Sequence, residues 1–92
     1  MDITVRLFAT LRQQAGWKEK VFKVEPATTI AGLVEIVEQH EPILQLRGRT
    51  LYAAVNMEYA PTDRLLVEGD EVAFFPPVSG GAARLWRMTE HG

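Results

Sequence analysis

Hydrophobic residues along this chain change their spacing twice, from every second position to every third or fourth and back again. Near the start, Ile3, Val5 and Leu7 alternate with polar residues, which predicts a half-buried strand with Phe8 on its opposite face. Between residues 30 and 37 the spacing of three and four predicts a helix, and residues 71–75 alternate again. The chain is therefore expected to fold as an α+β domain with a single main helix lying on a sheet.

Turn and capping residues divide the rest of the chain into short elements. Residues 9–15 predict a short helix that Gly16 ends, and residues 20–25 predict a second strand that pairs with the first as a hairpin. Thr28 or Thr29 caps the main helix, and Glu41-Pro42 ends it. Further segments predict a third strand at 51–56, a short edge segment at 59–61 and a turn at 68–70. This order of elements is that of a β-grasp, or ubiquitin-like, fold.

Composition limits the chain to one small domain without a buried catalytic cleft. It has 92 residues, of which 47% are hydrophobic, and this size supports only one core. The β-grasp domain is expected to span residues 1–77, because Pro76-Pro77 ends the last strand. Residues 78–81, Val-Ser-Gly-Gly, predict a flexible diglycine arm, and residues 82–92 form an extension that carries Leu85 and Trp86.

Several function classes are excluded by what the sequence lacks. It contains no cysteine, which rules out disulfides, thiolate metal sites and thiol nucleophiles, and its two histidines, His40 and His91, are too far apart to predict a metal site. The net charge of −2 and the absence of a basic run argue against nucleic acid. Without an apolar stretch of about 20 residues or a signal peptide, the chain is expected in the cytoplasm, away from membranes. Asp70 and Glu71 are adjacent, but they predict turn chemistry rather than an acid/base pair.

The end of the predicted domain carries a specific motif. Residues 69–81 read Gly-Asp-Glu-Val-Ala-Phe-Phe-Pro-Pro-Val-Ser-Gly-Gly, and residues 7–9, 11–12 and 53–56 match the same pattern. The chain thereby resembles the small subunits of molybdopterin synthase, the sulfur carriers of molybdenum cofactor biosynthesis. In the strict form of that family the second glycine is C-terminal, whereas here Ala82 follows Gly81. The resemblance therefore implies either cleavage between Gly81 and Ala82 or an inactive chain.

The resemblance implies that Gly81 carries sulfur as a thiocarboxylate. An E1-like adenylating enzyme would use ATP to activate the Gly81 carboxylate, and Val78, Ser79 and Gly80 would thread the arm into the partner's pocket. The thiocarboxylate would then donate sulfur to a pterin precursor in the large subunit. The chain itself is expected to bind no cofactor and to supply no catalytic residue, so it is a carried subunit rather than an independent enzyme.

A docking surface for the large subunit is expected beside the root of the arm. Alternation on the strands places Phe8 and Phe75 on the face away from the helix, and Tyr59 lies in a segment that borders them. These residues are expected to form an exposed apolar patch. The resemblance implies that the large subunit docks on this patch and that Arg12 pairs with acidic groups of the partner.

Other functions remain compatible with the residues alone. Gly80-Gly81 also suits a linker in a non-carrier interaction or fusion domain. β-Grasp carriers that share this ending also serve thiamin, cysteine and transfer-RNA thiolation, or act as protein modifiers. The extension is a further candidate for contact with the Phe8 and Phe75 patch, since Leu85 and Trp86 are costly to leave in water.

Overall fold

The computed structural model describes residues 1–77 and shows a sheet with one main helix across it. Helix α1 spans Ala9–Ala15 and helix α2 spans Ile30–His40. The strands are β1 (Asp2–Leu7), β2 (Glu19–Lys23), β3 (Tyr52–Val55), β4 (Glu58–Tyr59) and β5 (Glu71–Phe75). The predicted elements are all present, with bounds that differ by one or two residues.

The five strands lie in the order β2-β1-β5-β3-β4. The first hairpin pairs β1 with β2 antiparallel, as predicted, and α1 lies in its connection. Strands β1 and β5 pair in parallel at the centre of the sheet, while β3 pairs antiparallel with both β5 and β4. This mixed sheet with α2 packed against it is the β-grasp arrangement, so the expected fold is confirmed.

Helix α2 begins at Ile30 because its first backbone N–H groups all find acceptors. The Gly32 amide donates to the Thr29 hydroxyl oxygen at 3.1 Å, so Thr29 is the cap. The Ile30 amide donates to the Arg64 carbonyl at 3.1 Å, and the next amide along donates to the segment that precedes β5. The hydroxyl of Thr28 instead donates to the carbonyl of Glu25. Thr29, and not Thr28, therefore fixes where the helix starts.

The core lies between α2 and one face of the sheet. The predicted inward residues of the first strand and the main helix are buried: Ile3, Val5, Leu7, Ile30, Leu33, Val34 and Val37. Phe74 is also buried, as predicted, while Ile36 is only half-buried. Two 3₁₀ turns that the sequence did not predict, Pro42–Leu44 and Leu46–Gly48, add Leu44 and Leu46 to this core. A three-residue turn is too short to show a hydrophobic period.

A network around Asp70 holds the start of β5 to the β3–β4 turn. The Asp70 side chain is buried and accepts hydrogen bonds from the Asn56 side-chain amide and the Val67 backbone amide, both at 2.9 Å. The Asn56 side-chain carbonyl accepts from the Glu71 amide at 3.0 Å. The Asp70 side chain thus stabilises the turn, as the sequence predicted.

The short edge strand begins earlier than expected. Asn56 and Met57 both have positive φ, 50° and 72°, which is the geometry of a two-residue hairpin turn. The edge strand β4 therefore starts at Glu58 rather than at Tyr59. Within residues 1–77, none of the helices has the length and apolar character needed to cross a membrane. The predicted arm and extension, residues 78–92, lie outside the described residues.

Candidate functional site

An aromatic cluster covers the face of the sheet opposite α2, where β5 ends. The Phe75 ring stacks on the Phe8 ring with centroids 4.7 Å apart and planes 18° apart. Tyr59 approaches Phe75 with its edge at 6.4 Å, and Tyr52 approaches Tyr59 in the same way at 6.4 Å. Phe8, Tyr52, Tyr59 and Phe75 form what we call the outer aromatic cluster. The three residues expected to share a patch are therefore together.

The structure corrects the expected exposure of Phe75. Its side chain does lie on the outer face, but only 2% of its surface is exposed. The stacked Phe8 ring and the edge of Tyr59 contribute to this burial. Phe75 is therefore the buried floor of the cluster, whereas Phe8 is half-buried and Tyr59 is 43% exposed. Alternation predicts the face on which a residue lies, but not what its neighbours place over it.

The turn from β1 into α1 places Phe8 over Phe75. Phe8 is extended, with φ of −124° and ψ of 156°, and its carbonyl accepts from the Leu11 amide at 3.2 Å at the start of the helix. The next residue, Ala9, has a φ of 53°, an uncommon value for a residue with a Cβ. This sharp turn directs the chain away from the strand at once and lets the Phe8 ring pack on its neighbour.

Tyr52 belongs to the cluster although the sequence analysis missed it. It lies opposite Phe75 in the register of β3 and β5, so the two side chains share a face. Burial, and to a smaller extent the neighbouring Tyr52, raise the pKa of Tyr59 above its ordinary value of 10.0. Tyr59 consequently stays uncharged at neutral pH. Alternation along β3 gives the face on which Tyr52 lies, but it does not give the register that places Tyr52 opposite Phe75.

Arg12 lies next to the cluster on α1. It is exposed and, within residues 1–77, forms no ion pair. It lines a cavity of about 190 Å³ together with Phe8. Arg12 therefore lies beside the outer aromatic cluster, and no acidic side chain of residues 1–77 pairs with its guanidinium.

The chain leaves the sheet directly beside the cluster. Pro76 is buried and Pro77 is exposed, so the backbone reaches the surface at this point. The remaining predicted site residues, Val78, Ser79, Gly80, Gly81 and Ala82, lie outside the described residues. In residues 1–77 there is no group of acidic and histidine side chains that could hold a metal ion. What the described residues offer is a partly exposed aromatic surface beside the point where they end.

The comparisons with known proteins extend the family region past the described residues. The model of the ThiS family matches residues 5–81. The chain belongs to the ThiS family. The match ends at Gly81, so this family member carries the diglycine inside the family region and residues 82–92 beyond it.

Among sequences, this ThiS-family chain is 42% identical over 84 residues to the molybdopterin synthase sulfur carrier subunit of Chlamydomonas reinhardtii, with 88% of this chain and 100% of that protein covered. It is 39% identical over 83 residues to the corresponding subunit of Mycobacterium tuberculosis, covering 88% of this chain and 99% of that protein.

Among solved structures, the chain is similar to the small archaeal modifier protein SAMP1 of Haloferax volcanii. The TM-score is 0.78 at 28% identity, with 88% of this chain and 100% of that chain covered. It also shares its fold with a chain in the complex of subunits 1 and 2 of the molybdopterin-converting factor of Helicobacter pylori, with a TM-score of 0.63 and 23% identity over 88% of this chain and 100% of that one. Both likenesses fit the ubiquitin-like β-grasp fold.

Proposed function

We propose that this chain is the sulfur carrier of molybdenum cofactor biosynthesis, carrying sulfur as a thiocarboxylate on Gly81. The observation that carries the proposal is where the family match ends: at Gly81, four residues after the point where the described chain leaves the outer aromatic cluster. The sequence likeness to molybdopterin synthase sulfur carrier subunits extends over the full length of one such relative. Both features support Gly81 as the residue that carries the sulfur.

The chemistry explains why the carrier needs an activating enzyme. A carboxylate is a poor electrophile, so ATP must first convert the Gly81 carboxylate into an acyl adenylate with release of pyrophosphate. A sulfur nucleophile then attacks the acyl carbon, AMP leaves, and a thiocarboxylate remains. Within residues 1–77, no group of acidic and histidine side chains could hold a metal ion for these steps. An E1-like adenylating enzyme is therefore the proposed partner for loading, and ATP is that enzyme's substrate.

The arm suits delivery into a partner's active site. Gly80 and Gly81 have no side chain, so an extended diglycine can enter a channel in which any Cβ would crowd the reacting carbon. Val78 and Ser79 would line the wider entrance. Pro76-Pro77 fixes the direction in which the arm leaves the sheet.

The proposed receiving partner is the large subunit of molybdopterin synthase, in whose active site the sulfur passes to a pterin precursor. The Helicobacter pylori structure, which is a complex of subunits 1 and 2, supports a partner of this kind. The outer aromatic cluster provides the apolar contact, with Tyr52 and Tyr59 as partly exposed rings above the buried Phe75. Aromatic side chains of this kind dominate the binding energy of many interfaces.

The bond between Gly81 and Ala82 must be broken before the carrier can work. While Gly81 is in an amide, it has no carboxylate for ATP to activate. We propose that a processing protease cleaves after Gly81 and releases residues 82–92. The cytoplasm, where ATP and adenylating enzymes are present, is the proposed location.

Reconstitution tests this function directly. The chain ending at Gly81 should gain one sulfur-for-oxygen exchange, seen by intact mass, when incubated with an E1-like enzyme, ATP and sulfide. The full chain of 92 residues is the matched control and should stay unchanged. Addition of the large subunit and the pterin precursor should then return the carrier to its carboxylate form. Sulfur loading of the uncleaved chain, or none on the shorter one, would contradict the proposal.

A protein modifier is the second candidate. It is favoured by the likeness to SAMP1 of Haloferax volcanii, whose name describes a modifier. The same activated Gly81 would then be attacked by a lysine amine, forming an amide and releasing AMP. Higher-mass conjugates of the chain in cell extract, which survive reduction and denaturation, would favour this function over sulfur delivery.

A further inference from the structure

A groove continues from the outer aromatic cluster along the connection between α1 and β2. Its first part, the cavity of about 190 Å³, is lined by Arg6, Leu7, Phe8, Arg12, Lys18 and Glu19. Its second part is a wider, shallower depression lined by Arg12, Gln13, Gly16, Trp17 and Lys18. Arg12 and Lys18 line both parts, so the two parts are adjacent, and together we call them the α1–β2 groove.

The α1–β2 groove is basic on a chain that is acidic overall. Its first part contains the cations Arg6, Arg12 and Lys18 against the single acid Glu19. Glu19 is already neutralised, because its carboxylate accepts from the Arg6 Nε at 2.9 Å. In the described part of the chain, Arg12 and Lys18 form no ion pair. The net charge of the whole sequence is −2, so this local excess of positive charge is not a general property of the surface.

The walls of the groove are held in place before any partner binds. The Trp17 indole N–H donates to the Glu41 carboxylate at 2.8 Å, and the Lys20 Nζ lies 4.8 Å from the indole ring. The backbone carbonyl of Lys18 accepts from the Leu7 amide at 2.9 Å, which fixes the base of that side chain. A preformed surface loses little conformational entropy on binding.

Gly16 lines the second part of the α1–β2 groove and leaves space above its Cα. This residue ends α1 with a φ of 84°, and its amide donates to the Arg12 carbonyl at 3.0 Å. A Cβ built at this position would meet no atom within 4 Å. The space above Gly16 is therefore free for part of a ligand.

We infer that the α1–β2 groove receives an extended acidic segment of the protein that docks on the outer aromatic cluster. The inference rests on the proposed function, since it extends the same interface and assigns the charge of the partner. Carboxylates of that segment pair with Arg12 and Lys18, while its backbone passes over Gly16 along the Trp17 indole. Lys18 and Trp17 then help to determine which partner is accepted.

The charges favour a partner over the chain's own extension. Residues 82–92 contain Arg84 and Arg87 but only Glu90 as an acid, so like charge disfavours them in a basic groove. A nucleic acid is also anionic, but two observations argue against it. The net charge of the chain is negative, and two cations beside a tryptophan are too few to contact a run of phosphates. An acidic protein segment continuous with the apolar contact is the occupant that these observations favour.

The test measures binding of the full chain to the large subunit of molybdopterin synthase. Lys18→Glu should weaken the complex about fivefold at about 0.1 M NaCl, and the loss should largely disappear near 1 M, where the Debye length is only about 3 Å. Arg64→Glu is the control. It makes the same change of charge on an exposed arginine beside the start of α2, outside the groove lining, and should leave the affinity unchanged. Gly16→Asn tests whether a partner segment occupies the space above Gly16, without changing the charge of the groove. Asparagine tolerates the left-handed backbone at this position, and its side chain would fill part of that space. It should weaken binding while the thermal midpoint changes little.

Three results would overturn the inference. An effect of Lys18→Glu equal to that of Arg64→Glu would show that the groove is empty in the complex. A tighter complex would indicate a basic occupant, and a full loss of affinity that persists at high salt would indicate an uncharged one. Failure of the inference is separable from failure of the proposed function. If neither the full chain nor the chain ending at Gly81 binds the large subunit, the proposed function fails, whereas a loss of affinity with Phe8→Ala but none with Lys18→Glu contradicts only the groove inference.

Discussion

Replacing Phe8 by alanine removes the ring that stacks on Phe75, and the structure gives the size of the effect. Full burial of a phenylalanine contributes about 1.5–3 kcal/mol, so the half-buried Phe8 contributes roughly half of that. The stacked geometry, with centroids 4.7 Å apart, adds about 0.5–1.5 kcal/mol. Phe8→Ala should therefore lower the free energy of unfolding by about 1–3 kcal/mol. For a domain of this size, each kcal/mol of lost unfolding free energy lowers Tm by roughly 4–8 °C.

Phe8→Ala should also weaken binding, since Phe8 is expected to be a central contact with the large subunit. Loss of an interface anchor costs about 2 kcal/mol or more, which weakens Kd about thirtyfold. Urea unfolding followed by circular dichroism measures the first quantity, and calorimetric titration of the folded variant measures the second. Val21→Ala is the control, because Val21 is 57% exposed on the outer edge of β2 and should change neither quantity appreciably.

The two measurements together can refute this reasoning. If Phe8→Ala destabilises the domain as calculated but leaves the affinity for the large subunit unaltered, the outer aromatic cluster is a structural feature and not a docking surface. An unchanged stability would instead show that the stacked pair is not formed in solution.

Three further predictions concern the scaffold that positions this surface. Asp70→Ala leaves two donors without their buried acceptor and should cost about 2–3 kcal/mol in urea unfolding, whereas a loss below the error of the method would contradict the network. Thr29→Ala should cost about 1 kcal/mol and Thr28→Ala clearly less, because only Thr29 caps α2; equal losses would refute that assignment. Hydrogen bonds from the Arg47 backbone and side chain lower the pKa of Glu38 below its ordinary value of 4.5. This contact therefore stabilises the domain at pH values above 4.5, and the stabilisation is lost as the pH falls through the lowered pKa of Glu38. Glu38→Gln should consequently reduce the free energy of unfolding in urea at pH 7 but not at pH 2.

Much of the fold could be predicted because each element carries its own local signal. The alternation of Ile3, Val5 and Leu7 and the spacing of the α2 residues correctly assigned the buried faces. Gly16 and Pro76 correctly marked ends of elements. Such signals depend only on neighbours in sequence, and a β-grasp domain has few elements to arrange.

The remaining features depend on contacts between distant residues. Burial of Phe75 needs the ring of Phe8, which lies in the turn after β1 and is distant in sequence, so alternation alone predicted an exposed side chain. Tyr52 entered the cluster through its register with Phe75, which the sequence does not specify. The position of Lys18 beside Phe8 likewise follows from the path of the α1–β2 connection. Of the predicted site residues, Phe8, Arg12, Tyr59 and Phe75 lie together, while the roles assigned to them remain predictions.

The most direct test of sulfur carriage on Gly81 is to determine which form of the chain the cell uses. The large subunit should be isolated from the source cells with its bound carrier, and the intact mass of the carrier determined without reduction. The account predicts a chain that ends at Gly81, part of it with one oxygen replaced by sulfur. A bound carrier that still contains residues 82–92, with no sulfur added, would contradict it.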